Sequence, residues 1–468
     1  MAVLRYEKDD EKLGLTVWDR MSDTERGKVF SFCEGYKEFL DRGKTEREVT
    51  EQVLNMALEN GFTDMRNKPQ LLPGDRIYSV NRDREIVLAV VGSDPAESGL
   101  RLVGAHIDSP RLDLKPEPLF EDAHLSLFKT HYYGGIKKYQ WVGIPLSLHG
   151  VVVREDGSLV KIKVGEDPCD PVFTITDLLP HLSKDQMEKK MSEGIVGEAL
   201  NILAGGMPVK EEGVKHRIKQ GILNKLRETY GIGEEDFISA ELEAVPAWTA
   251  RDVGFDRSLL GAYGQDDRVC AYTAVKALLD IKVPNRTAAV LLADKEEIGS
   301  TGNTGMQSAF FENFVAELID RSAMSYSDIL LRRTLSASSA LSADVNAALD
   351  PNYEEVMDKL NSARVGRGVV ITKYTGSRGK SGSSEAGAEF VARVRRIFNS
   401  QGVYWQTGEL GKVDQGGGGT IAYLLAAYNM DVLDCGVALL GMHSPFEVAG
   451  KADIYMTYRA YSAFMNHI

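Results

Sequence analysis

Cysteine is scarce in this chain of 468 residues: Cys33, Cys169, Cys270 and Cys435 lie far apart, with no CxxC pair among them. That argues against a disulfide framework or a Cys₄ metal site and favours free buried thiols in a reducing compartment. Positive charge is also in deficit. Lys and Arg number 55 against 68 Asp and Glu, a net charge of −13, which disfavours a general nucleic-acid binder because phosphate surfaces need clustered cations. No apolar run approaches membrane-spanning length, and the amino-terminal MAVLRYEKDDEKLGL has no apolar signal core. The expectation is a cytoplasmic protein with no membrane partner. Several catalytic signatures are missing too: no GxSxG elbow, no GxxxxGK[ST] phosphate loop, no HExxH helix, and no GxGxxG after a strand.

What is present suits an enzyme with real cores. Apolar residues make up 43% and charged residues 26%, and the length predicts two or three domains. Ser22 with Glu25, and Thr45 with Glu48, read as capping boxes opening two amphipathic helices, the second stopping at Asn60-Gly61. EIVLAVVG (85–92) and LRLVGA (100–105) read as strands. HGVVVREDGSLVKIKV (149–164) reads as a hairpin turning at Asp156-Gly157. The text from about 181 to 230 is polar and reads as helical, with no metal-like constellation. From about 250 a β/α rhythm returns: TAAVLLAD (287–294), SALSADV (339–345), GVVITKY (368–374) and VLDCGVALLGM (432–442) read as strands, with helices over 269–280 and 383–398. The expected fold is one α/β domain, 1–110 plus 250–468, interrupted by a β-rich insertion over 111–249.

Five short pieces carry the chemistry: HIDSP (106–110), GQDDR (264–268), DKEEIG (294–299), SADVN (342–346) and GMHSP (441–445). In open α/β sheets ligands gather beyond the carboxyl ends of strands, and His106, Glu296/Glu297, Asp344 and His443 each fall at such an end. Asp266 precedes a helix, from which it can lean into the same crevice. A neutral imidazole binds zinc, and a neighbouring carboxylate such as Asp108 can fix its tautomer. Adjacent Glu296 and Glu297 repel, so a positive group is expected beside them; one can ligate a metal while the other takes a proton from water. A carboxylate of the Asp266-Asp267 doublet can bridge two cations, which an imidazole cannot. Each piece alone also fits a bland alternative. HxD can be a surface loop, DKEE a solvated turn, Asp344 a helix cap, and His443 a structural hydrogen-bonder. The glycine run 416–419 is either a flexible linker or a place where substrate backbone approaches closely. Taken together, the inventory suits two divalent cations of the zinc type, a spare carboxylate base and hydrolysis of an amide.

The motifs HIDSPRLDLKPEP (106–118), YGG (133–135), GQDDR, DKEEIGS (294–300), SADVNAALDPNY (342–353) and MHSPFE (442–447) resemble those of the M18 aminopeptidases, the aspartyl aminopeptidase and vacuolar aminopeptidase I family. The resemblance implies a zinc-exopeptidase fold, a twisted mixed sheet between helices, with an inserted oligomerisation domain. It implies a homo-oligomer, commonly a tetrahedral dodecamer built from dimers. It also implies removal of the N-terminal residue from peptides with a free amino end. His106, Asp266 and Asp344 would hold one zinc, and Asp266, Glu297 and His443 the other, with Asp266 as bridge. Glu296 would be the general base and Asp108 the carboxylate orienting His106. His181 would reach the oxyanion from a neighbouring subunit. Lys373 lies where aspartyl members carry a lysine for an acidic first side chain, although the following GSRGKSGSS departs from their pattern and leaves a neutral first residue equally open. Gly418 and Gly419 would border the substrate. Cobalt and manganese suit the same ligands as zinc. The alternatives are a catalytically idle assembly scaffold or a related dizinc deacylase or carboxypeptidase.

Overall fold

Short, wholly buried strands whose side chains alternate between two cores build the sheet that carries the site. The computed structural model describes residues 14–210, 213–322 and 325–467, so most of the amino-terminal stretch examined for a signal core lies outside the described residues. The chain divides into two compact units, one of residues 1–108, 250–442 and 446–468, the other of 109–249 with 443–445. No described helix is long and apolar enough to cross a membrane.

The larger unit is mixed α/β. Its main sheet has nine strands: β1 (Thr63–Asp64), β2 (Arg76–Asn81), β3 (Glu85–Val90), β4 (Arg101–His106), β5 (Ala288–Ala293), β6 (Ser339–Ser342), β7 (Val369–Thr372), β8 (Trp405–Thr407) and β9 (Asp431–Gly436). They lie in the order β1-β2-β3-β5-β4-β6-β9-β7-β8. Four central neighbours, β5, β4, β6 and β9, run parallel, so their carboxyl ends meet at one edge. Alternation divides the sheet between two cores. Ile86, Leu88, Val103, Ala105, Val290 and Leu292 face a core shared with the Asp23–Arg42, Glu46–Glu59, Gln265–Leu279 and Lys451–Met465 helices. Val87, Ala89, Leu102, Ala289 and Leu291 face a second core under the Phe310–Arg321 and Asp328–Ala337 helices. Each fully buried Val, Leu or Ile among these contributes about 1.5–3 kcal/mol.

The opening helices start where their caps predict. Ser22 Oγ accepts from Glu25 N at 3.3 Å while Glu25 returns a carboxylate to Ser22 N at 2.9 Å. At the second helix Thr45 caps Glu48 N, but the Glu48 carboxylate reaches Lys44 N instead of closing the box on Thr45.

Two readings are corrected. VLDCGVALLGM is two strands, not one: β9 ends at Gly436, and Ala438–Leu440 joins a separate five-stranded sheet. The break comes at Gly436, where a Cβ would collide with the Asp344 carbonyl. The stretch 181–216 is largely irregular, with two four-residue helical turns and a short strand, Ile202–Gly205; a regular helix begins only at Arg217. Leu182, Met187 and Met191 are exposed, and neither four-residue turn buries an apolar face that could stabilise a longer helix.

The smaller unit is built on a six-stranded antiparallel sheet. Its order is 159–164, 146–153, 240–246, 111–122, 125–133 and 202–205. The hairpin turns at Gly157, which has φ of +82°.

Candidate active site

Parallel pairing brings the sequence motifs to one sheet edge. β4 ends on His106 opposite Ala293, the last residue of β5, and Ser342 at the end of β6 pairs with Gly104. Asp294–Glu297 and Asp344 therefore emerge beside His106. The Gln265–Leu279 helix starts at the same place and carries Asp266 and Asp267, joined by a cis peptide, in its first turn.

His106 is 2% exposed. Its Nδ1 lies 3.0 Å from the Asp108 carbonyl oxygen and 3.3 Å from Asp108 Oδ1, while Nε2 lies 3.2 Å from Asp266 Oδ1. With the proton on Nδ1 against Asp108, Nε2 presents the lone pair a metal would take. The Asp108 carboxylate also accepts from Glu296 N at 3.1 Å and Glu297 N at 3.2 Å. One buried carboxylate thus sets both the imidazole and the paired-glutamate turn. That turn is braced from below. Lys295, at φ of +67°, sends Nζ to Asp294 Oδ2 at 2.7 Å and to Thr304 Oγ1 at 3.0 Å, and Thr304 donates to the same Asp294 oxygen.

Two sets of candidate ligand atoms fall within 4.8 Å of one another: His106, Asp266 and Glu297, and His106, Asp267 and Asp344. Glu296 belongs to neither, although its backbone is fixed beside both. Burial, followed by the charge of neighbouring Asp266, pushes Asp267 well above the ordinary carboxylate range. Burial, then Asp267 and Asp266, does the same to Asp344. For His106, burial opposes the charged form, but the carboxylates of Asp108 and Asp266 outweigh it and hold the imidazole well above its usual value. Arg268, next in the chain, donates from Nε to the Gly264 carbonyl, and its guanidinium lies over the Tyr263 ring. Both Asp267 oxygens are buried, and the donors facing that carboxylate are the Cys270 thiol and the His106 backbone N–H. Buried carboxylates in such numbers need positive charge. An imidazole with carboxylate oxygens is a donor set that zinc, cobalt and manganese all accept. The residues fit divalent cations.

His443 is grouped with the smaller unit, where its Nδ1 lies 2.9 Å from the Gly135 carbonyl oxygen at a backbone φ of +64°; neither ligand set contains it. Lys373 follows β7 and is not buried: its side chain is 48% exposed and lies 3.5 Å from Glu385 Oε1, an oxygen that Lys380 also meets at 3.1 Å. The first half of the glycine run is packed, against the flexible-linker alternative there. A Cβ at Gly416 would strike the Leu410 carbonyl, one at Gly417 (φ +116°) the Gly376 carbonyl, and Gly376 N donates to Gly418 O at 2.7 Å. Around Gly419 a Cβ would meet open space. His181 sits exposed on a short turn, Pro180–Leu182, of the smaller unit.

Sequence reading gave no separate role to Asp267, although its doublet with Asp266 was visible. It also passed over Glu447, the last residue of MHSPFE, which is buried against the backbone of Gln265 and Asp266. No local pattern marks Glu447, because its partners lie about 180 residues away in the chain.

A mixed sheet with candidate metal-ligating side chains at the ends of its parallel strands fits a metal-dependent hydrolase. The family model for aminopeptidase I zinc metalloprotease (M18) matches residues 39–465, and the chain belongs to the M18 aminopeptidase family, whose members are metallo-aminopeptidases. It is 52% identical over 454 residues to a probable M18 family aminopeptidase 1 of Clostridium acetobutylicum, covering 96% of this chain and 97% of that one. It superposes with a TM-score of 0.94 on the crystal structure of an M18 aminopeptidase from Thermotoga maritima, at 48% identity, covering 97% of this chain and 99% of that one. With the crystal structure of aminopeptidase I from Clostridium acetobutylicum the TM-score is 0.90 at 48% identity, with the same coverage.

Proposed function

We propose that the protein removes the N-terminal residue of peptides at a centre of two divalent cations, most naturally zinc, with Glu296 as general base. The observation that carries this reading is the meeting of His106, Asp266, Glu297 and Asp344 at the sheet edge, with Glu296 fixed beside them through Asp108. His106, Asp266 and Asp344 would hold one cation, and Asp266, Glu297 and His443 the other. Bound cations supply positive charge that lowers the pKa of an attacking water and polarises the scissile carbonyl. Glu296 takes the proton from that water and delivers it to the leaving amine. Asp108 holds His106 in one tautomer and keeps the Glu296 backbone in register. Lys373 offers an acidic first side chain a charge partner, while its pairing with Glu385 leaves neutral first residues equally acceptable. Gly418 and Gly419 border the extended substrate.

The 109–249 unit is read as an oligomerisation domain. Support comes from its exposed Leu178, Leu179, Leu182, Met187, Met191 and Met207, an apolar set of the kind that self-association buries. The proposed assembly is a dodecamer built from dimers, in which His181 of one copy helps hold the oxyanion of another. A cytoplasmic location completes the reading.

Metal analysis tests the ligand assignment. Wild type is expected to hold two cations per chain and His443→Ala one. Two cations bound with unchanged affinity in His443→Ala would remove His443 from the site.

A further inference from the structure

The backbone leading into the regular part of the Gln265–Leu279 helix is not helical: Gly264 has φ of +67°, and Asp266 and Asp267 depart from helical angles. The N–H groups of Gln265 and Asp266 therefore need partners from elsewhere, and both residues are buried. Glu447 meets them from the start of a strand. Its Oε2 accepts from Gln265 N at 2.6 Å and Asp266 N at 3.1 Å. Gln265 returns the grip, its Nε2 donating to the Glu447 carbonyl oxygen at 2.7 Å and to the Leu260 carbonyl oxygen at 3.1 Å. Strand pairing fixes this clasp, since Glu447–Gly450 runs antiparallel to Leu259–Ala262 with Glu447 opposite Ala262. Glu447 is 1% exposed and Gln265 fully buried.

One of the two N–H groups so held belongs to Asp266 itself. We infer that Glu447 is a positioning residue for the metal centre, fixing the Asp266 backbone so that its carboxylate faces His106 and can serve two cations. The inference rests on the metal-centre reading and extends it to a residue outside the ligand set. A contact of purely structural value would lower stability when lost and leave the metal environment unchanged. A positioning residue that supports ligands changes metal affinity by roughly 10–100-fold when lost.

The test loads metal-free protein with Co²⁺, reading affinity by chelator competition and ligand geometry by the visible d–d spectrum. Wild type, Glu447→Ala, Glu447→Asp and Glu447→Gln are compared as full chains. Wild type is expected to take up two Co²⁺. Glu447→Ala should bind about 10–100-fold more weakly with an altered spectrum. Glu447→Asp, which keeps the charge but withdraws the oxygen by one methylene, should move in the same direction. Glu447→Gln, which keeps an acceptor oxygen at full reach, should recover most of the loss. Wild-type affinity and spectrum in Glu447→Ala would overturn the inference, whatever the thermal stability. If that variant does not fold, the same result in Glu447→Asp would do so. Failure of wild type to bind Co²⁺ would instead overturn the metal-centre reading, so the two failures are distinguishable.

Discussion

Replacing Glu296 with glutamine is expected to lower kcat by about 10²–10⁴-fold, the range that a positioned general base supplies, while both cations stay bound. The separation follows from geometry. Glu296 is absent from both sets of candidate ligands, and its hydrogen bond to Asp108 runs through the backbone N–H, which the substitution retains. Glutamine matches glutamate in size but cannot take a proton from water. The variant should therefore bind substrate with little change in KM, the pattern of a group used in the transition state. Steady-state kinetics with metal analysis on the same sample would check this. A variant retaining metal and most of its kcat would remove Glu296 as the base.

Asp266→Ala should be more severe, because the proposed assignment gives that carboxylate to both cations. Its Oδ1 lies 3.2 Å from His106 Nε2, and it is the carboxylate assigned to both cations. Losing it should lower the affinity of both sites by more than the roughly 10–100-fold typical of a supporting residue, and activity should disappear with the metal. Metal titration distinguishes this from the loss of an unshared ligand, which empties one site. A variant that still binds one cation with wild-type affinity would show that Asp266 is not the bridge.

The main sheet was legible because its strands are short apolar runs ending in chemistry: LRLVGA leads directly into His106, and TAAVLLAD into the paired glutamates. Parallel register then places those ends together, a consequence of β/α rhythm that sequence reading can use. Other features depend on contacts between distant parts of the chain. The division of 432–442 between two sheets turns on the approach of Gly436 to the Asp344 carbonyl. The glycine run stays open between linker and substrate approach until Leu410 and Gly376 are seen to occupy the space that side chains at 416 and 417 would need. Lys373 could be named from its position, but the carboxylate that half-claims it, Glu385, follows in a loop whose shape no periodicity predicts. In 184–194, charge runs suggested helix where the two short turns bury no apolar face to support one.

The most direct test of the central claim is hydrolysis of peptides that share one sequence and differ only in the first residue, with zinc, cobalt or manganese added to the assembled protein. Release of a single N-terminal residue, blocked by acetylating the amino end, is predicted, and the preferred first residue reports what Lys373 and Glu385 together admit. Trimming from the carboxyl end, cleavage of the acetylated peptide at an undiminished rate, or no cleavage with any of the three metals would contradict it.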